Sequence, residues 1–224
     1  QGGHVVAFIG RIVAIKDVQT FLHAAKIVLT DLPDATFLII GPADEERQYT
    51  QECRQTVENL NLLGHILFTG KAQVKDYYPK LDLVVLTSLS EGQPYVILEA
   101  NAIGIPVVAT DVGACREMLE GRTPEDRKIG PSGLVTQVAN PQDTAAAIVK
   151  LLTDAETWNK FSESGRSRTL RHPPRGADRD GVRPRSRSGA GDGRGRCRGL
   201  RAQLRRCRQP AAAATNSSRT AAPA

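Results

Sequence analysis

Over roughly its first three quarters this chain alternates short apolar runs with longer stretches in which apolar positions recur every three or four residues. The runs at 4–9, 35–40, 66–69, 83–86, 106–109 and 133–135 have strand length and predict six β-strands. The stretches at 18–30, 45–60, 74–78, 95–103, 116–119, 143–152 and 155 to about 163 predict helices. Phe21, Ala24, Ala25 and Val28, for example, fall on one face of a helix. Gly104 stands where a left-handed residue would end the fourth helix, and Pro106 prevents its continuation. Strand and helix in strict alternation read as βα units. The fold class is therefore α/β, a Rossmann-like parallel sheet with helices on both faces.

In such sheets ligands lie beyond the carboxyl ends of the strands. The glycines and polar residues collect there: Gly10-Arg11 after the first strand, Gly41-Pro42 after the second, Gly70-Lys71-Ala72 after the third, Ser88 to Gly92 after the fourth and Asp111 to Ala114 after the fifth. Glycine also serves turns in any protein of this class, so the side chains must decide what the edge does.

Composition divides the chain near residue 168. Residues 1–168 carry 16 Lys and Arg against 21 Asp and Glu, a net −5, whereas residues 169–224 carry 14 Arg and no Lys against three acids, a net +11. Residues 1–168 read as the ligand-binding domain. The remainder, rich in Arg, Gly, Pro and Ala, has too little apolar surface to offset its ordering entropy and is expected to be disordered. A run such as Arg183-Pro184-Arg185-Ser186-Arg187-Ser188 has the charge to attract nucleic acid or anionic lipid. The plainer reading is an unselected tail, of the composition a GC-rich gene gives when read out of frame after about Ser164, so nucleic acid is not an expected partner. Neither a membrane-spanning run nor a signal peptide is legible, which predicts a cytoplasmic protein. The start at Gln1 without Met suggests a fragment or a separately cut domain. Cys53, Cys115, Cys197 and Cys207 lack paired metal-site spacing, and the four His are scattered; no metal is expected.

Two constellations carry chemistry. Around the fourth strand, Gly92 permits a tight turn and Pro94 suits the first helical position, where its missing N–H matters least. The amides of Tyr95, Val96 and Ile97 would then lack intrahelical acceptors and, with the helix dipole, offer a site for a pyrophosphate. Glu91 and Glu99 bracket this helix start. Beside a pyrophosphate, carboxylates are best matched to sugar hydroxyls, Glu99 to a ribose and Glu91 to a transferred sugar. Arg11 and Lys16, five apart on the first loop, can offer a bidentate clamp and a point charge to the same diphosphate. Paired carboxylates also occur in glycoside hydrolases, but the neighbouring phosphate site argues against hydrolysis.

These residues carry a family resemblance. Ser90 to Gly113, with Glu91-Gly92-Gln93-Pro94 and Glu99, resembles the double-glutamate signature of glycosyltransferase family 4, and Gly10 to Asp17 resembles that family's phosphate-binding Arg and Lys segment. The likeness covers residues 4 to about 165. The Glu-Gly-Gln-Pro and Val112-Gly113-Ala114-Cys115-Arg116-Glu117 segments are similar to those of its PelF-like members, which serve exopolysaccharide synthesis. The resemblance implies one half of a GT-B fold, the donor-binding half, whose partner N-terminal domain would supply the acceptor site. It implies a UDP-sugar donor, UDP-glucose by analogy, retention of anomeric configuration, no metal or other cofactor, and membership of an exopolysaccharide synthesis complex. By the same resemblance Arg11, Lys16 and Glu91 are catalytic. The donor-binding set is Gly10, Lys71, Ala72, Gly92, Gln93, Pro94, Tyr95, Val96, Ile97 and Glu99, with the 70–72 loop holding the base through backbone groups. Gly113 and Glu117 would frame the crevice, and Cys115 is expected to be buried filler.

Pro94 departs from the glycine of most relatives and removes one amide donor. The helix that crosses back to the first domain in GT-B enzymes is expected to be replaced by the Arg-rich tail. Two alternatives share the residues: a UDP-sugar epimerase of GT-B fold, and an inactive truncated or frameshifted fragment.

Overall fold

The computed structural model describes residues 3–171; of the segment 169–224 expected to be disordered, Thr169, Leu170 and Arg171 end the last helix, and the rest lies outside the described residues. Six strands, β1 (Val5–Ile9), β2 (Thr36–Ile40), β3 (Ile66–Gly70), β4 (Leu83–Leu86), β5 (Val107–Thr110) and β6 (Gly133–Thr136), form one parallel sheet in the order β3-β2-β1-β4-β5-β6. All six fall where the apolar runs predicted them. The order reverses between β1 and β4, which makes their carboxyl ends the topological switch point.

Strand residues alternate between two cores. Val6, Phe8, Phe37, Ile39, Leu83 and Val85 pack under α1 (Val18–Asp31), α2 (Arg47–Asn59) and α6 (Pro141–Thr153). Val5, Ala7, Leu38, Ile40, Val84 and Leu86 face α3 (Tyr95–Ile103) and α4 (Cys115–Glu120). Because both faces are buried, the strands read as continuous apolar runs and not as apolar-polar alternation. Phe21 of α1 fixes the first layer, with ring centroids 5.8 Å from Phe8 and 5.9 Å from Phe37.

Local chemistry sets the helix ends. Asp17 adopts left-handed geometry and its carboxylate accepts from Thr20 N–H at 3.1 Å, starting α1. Gly104 (φ 71°) ends α3, its amide donating to Asn101 O and that of Ile105 to Ala100 O, as predicted.

Four differences from the sequence reading have physical causes. The helix expected at 74–78 is two 3₁₀ turns, Val74–Asp76 and Tyr78–Lys80, because Pro79 has no N–H with which to continue an α-helix. A four-residue helix, α5 (Pro124–Arg127), was too short for periodicity to reveal, although Thr123 caps it by accepting from Asp126 N–H and Pro124 opens it. Pro94 is extended (φ −73°, ψ 108°) and caps α3 from outside instead of occupying its first turn. The last helix, α7 (Ala155–Arg171), runs well past 163. Its continuation is held from within: Arg168 is buried and donates to Asp126, Leu119 O, Ser132 Oγ and Gly130 O. Gly165 lies against Asn101, where a Cβ would come within 2.9 Å of Oδ1.

Candidate active site

A cavity of about 160 Å³ opens at the switch point, lined by Phe8, Ile9, Lys16, Leu86, Ser88, Glu91, Pro94, Tyr95 and Val96. Its floor is the carboxyl ends of β1 and β4, one wall is the first loop and the other is the start of α3. The loop after β1 is pinned by short-range turn chemistry and by its neighbours: Gly10 N–H donates to Ile40 O, Ile12 N–H to Pro42 O, and Ala14 N–H to Glu46 Oε2 at 2.8 Å. Gly41 is needed for this approach, since a Cβ there would sit 2.0 Å from Gly10 O.

The two constellations meet at this cavity. Lys16 Nζ donates to Glu91 Oε1 at 2.5 Å, and Ser88 Oγ donates to the same oxygen at 2.7 Å. Both side chains are largely shielded, 22% exposed for Lys16 and 10% for Glu91. The backbone holds them in register: Leu89 N–H donates to Ile15 O at 2.9 Å, and Thr87 Oγ1 donates to Asp17 O at 2.7 Å. Thr87 was not singled out in the sequence, and Ser88 only as the first residue of the segment after the fourth strand; the signal for both is position, at the carboxyl end of a strand whose neighbour carries the cations.

The start of α3 is more restricted than the sequence implied. Ile97 N–H donates to Pro94 O at 3.1 Å, and Ile97 is buried, so of the three amides expected to be open only those of Tyr95 and Val96 lack an acceptor within the helix. Gly92 and Gln93 are exposed beside them, and Tyr95, 69% exposed, stands at the rim.

Arg11 does not line the cavity. Its guanidinium is paired with Glu45 on the solvent side, an interaction that raises its pKa further. Glu99, one turn into α3, is exposed yet held, because Tyr78 OH donates to its Oε2 at 2.6 Å. Lys71 is exposed and Ala72 packs partly on the second core; neither reaches the cavity.

Gly113 does reach the Glu91 loop. At φ 52°, a Cβ there would lie 1.9 Å from Glu91 O, and the next amide, Ala114 N–H, donates to Gly92 O at 3.0 Å. Glu117 instead points outward toward Arg122 at 3.6 Å. Cys115 is buried, its thiol pushed up to about 11 by desolvation and then by the Glu91 charge; a thiol so held is packing, not a nucleophile.

Residues 3–154 match the family model for glycosyl transferases group 1. The chain belongs to that family. It is 30% identical over 169 residues to the lipopolysaccharide core biosynthesis mannosyltransferase LpsB of Rhizobium meliloti (strain 1021), an alignment that covers 75% of this chain and 46% of the relative. This member of the family thus spans less than half the length of the curated relatives it matches. Among solved structures it resembles the C-terminal domain of the group 1 glycosyl transferase LpcC from Francisella tularensis, with a TM-score of 0.66 and 26% identity over 76% of this chain and 87% of that domain. It also resembles Anabaena Alr3699/HepE crystallised with UDP-glucose, with a TM-score of 0.67 and 25% identity over 75% of this chain and 44% of that one. The described residues therefore have the fold of a GT-B glycosyltransferase C-terminal domain.

Proposed function

We propose that this chain is the donor-binding half of a retaining family 4 glycosyltransferase of PelF-like type. It takes a sugar from a UDP-sugar, UDP-glucose by analogy, for addition to an exopolysaccharide in the cytoplasm, with the acceptor bound by a separate N-terminal domain. The observation that carries this reading is the meeting of Lys16, Glu91 and the first amides of α3 at the mouth of the switch-point cavity. The complex of HepE with UDP-glucose, a protein 25% identical to this one, supports the choice of donor.

The residues divide the work. Lys16 and the amides of Tyr95 and Val96 receive the diphosphate, and Arg11 joins them by exchanging Glu45 for phosphate. Both hydrogen bonds to Glu91 fall on Oε1, so Oε2 accepts from a hydroxyl of the transferred sugar. Glu99 accepts from the ribose, with the base toward the loop at Gly70, Lys71 and Ala72. As the bond from the anomeric carbon to the β-phosphate oxygen breaks, its electron pair moves onto the phosphate. The fixed cation and amides stabilise that growing charge more than they stabilise the ground state. The acceptor oxygen bonds to the same face of the sugar, and its proton passes to the departing phosphate. This scheme asks nothing of a metal.

Calorimetric titration of UDP, GDP and UDP-glucose into the 224-residue chain tests the reading. UDP and UDP-glucose should bind, and Lys16→Ala should weaken both by about 1.5–3 kcal/mol. Equal affinity in parent and variant would overturn the phosphate assignment.

A further inference from the structure

Glu99 is an exposed helical carboxylate with a buried partner. A glutamate on a helix surface ordinarily samples several rotamers, and fixing it for a ligand opposes that freedom. Here the fixing is already done. Tyr78 sits at the head of the second 3₁₀ turn, which is closed by Lys80 N–H to Tyr77 O at 2.8 Å and Leu81 N–H to Tyr78 O at 3.1 Å. Its ring is buried in the second core with Leu81, Ile97 and Ala100, and only its hydroxyl emerges, 2.6 Å from Glu99 Oε2. Burial, and then the hydrogen bond to Glu99, raise the phenol's pKa, so the hydroxyl keeps the proton that it donates to the carboxylate. One carboxylate oxygen is occupied by a rigid donor, and the other, Oε1, is left to accept from a ligand.

Resting on the donor-site reading above, we infer that Tyr78 is a positioning residue: by holding Glu99 Oε2 it presents Oε1 to the vicinal ribose hydroxyls and so sets the preference for ribonucleotides. Glu99 stands four residues into α3, about 6 Å along the axis from its first amide, a ribose's distance from a phosphate bound at the helix start. Tyr78 follows the β3 loop that faces the base. The pair thus ties the phosphate end of the site to its base end through one hydrogen bond.

The experiment compares UDP, 2′,3′-dideoxy-UDP and inorganic pyrophosphate in titrations of the parent chain, Tyr78→Phe, Glu99→Ala and the double variant. The parent should prefer UDP to the dideoxy ligand at least tenfold. Tyr78→Phe should narrow that preference threefold or more while leaving pyrophosphate affinity unchanged, and it should have no further effect in the Glu99→Ala background. Full discrimination by Tyr78→Phe, or the same loss with and without Glu99, overturns the inference while the donor site stands. A parent that binds no nucleotide overturns the donor-site reading and this inference with it. Should Tyr78→Phe fail to fold, Glu99→Asp, which withdraws the carboxylate by one methylene, must show the same narrowing, and its failure to do so counts against the inference equally.

Discussion

Lys16 Nζ and Glu91 Oε1 lie 2.5 Å apart although 75 residues separate them in the chain, and the pair occupies the mouth of the switch-point cavity. The proposed function assigns each of them to the donor. The cation that should receive phosphate is thus held by the carboxylate that should receive the sugar, and a ligand carrying only the phosphates must share or break the pair.

Glu91→Gln separates these roles. Lys16 is freed, so UDP should bind several-fold more tightly than to the parent, while the advantage of UDP-glucose over UDP should shrink because a sugar hydroxyl loses a charged acceptor. Titration of both ligands at two salt concentrations checks this. UDP binding that weakens on the substitution would mean that Glu91 helps to hold the nucleotide and does not compete for Lys16.

Gly113 and Gly92 should differ sharply on conversion to alanine. At Gly113 the new Cβ meets Glu91 O at 1.9 Å in a left-handed backbone, so the loop must move, with a loss of about 2 kcal/mol or more and a displaced Glu91. At Gly92 nothing lies within 4 Å, and stability should be unchanged within about 0.5 kcal/mol. Urea unfolding of the two variants reads this directly.

Arg168→Ala should be among the most damaging single changes. It leaves Asp126 buried without its cation and takes the side-chain donor from the carbonyl of Gly130, a loss of about 3–5 kcal/mol. Asp126→Ala in the same background should add little, since the two act as a unit. A melting temperature that falls additively would contradict the coupling.

Stability should decline in alkali between about pH 9 and 11. The thiols of Cys53 and Cys115 rise from an ordinary value near 9 to about 11 in the fold, mainly through burial. In that window the unfolded chain has lost protons that the folded chain keeps. The contribution is therefore complete below about pH 9 and fades as pH rises, by no more than about 2.7 kcal/mol per thiol. Tyr49 and Tyr78, also raised by burial, extend the decline in the same direction. Cys115→Ala should start less stable at pH 7 but show a shallower slope; an unchanged slope would remove this account.

The strands were legible because a sheet covered on both faces needs runs of Val, Ile and Leu, and a pattern of that kind is local. The end of the fourth helix at Gly104 is local in the same sense. The first loop and the start of α3 could be assigned separately, since each has its own charge and turn residues.

What the sequence by itself determined was the set of βα units and the polar groups gathered at their carboxyl ends, because periodicity and turn residues act over a few positions. Which of those groups touch was decided only by the strand order, which sets β1 beside β4 and so brings Lys16 to Glu91 while leaving Arg11 outside with Glu45. The same holds for Tyr78 under Glu99 and for Arg168 within the far end of α7. In each case the partner lies on another element, and only packing across the sheet makes a tyrosine into a fixed donor or an arginine in a polar stretch into part of the interior.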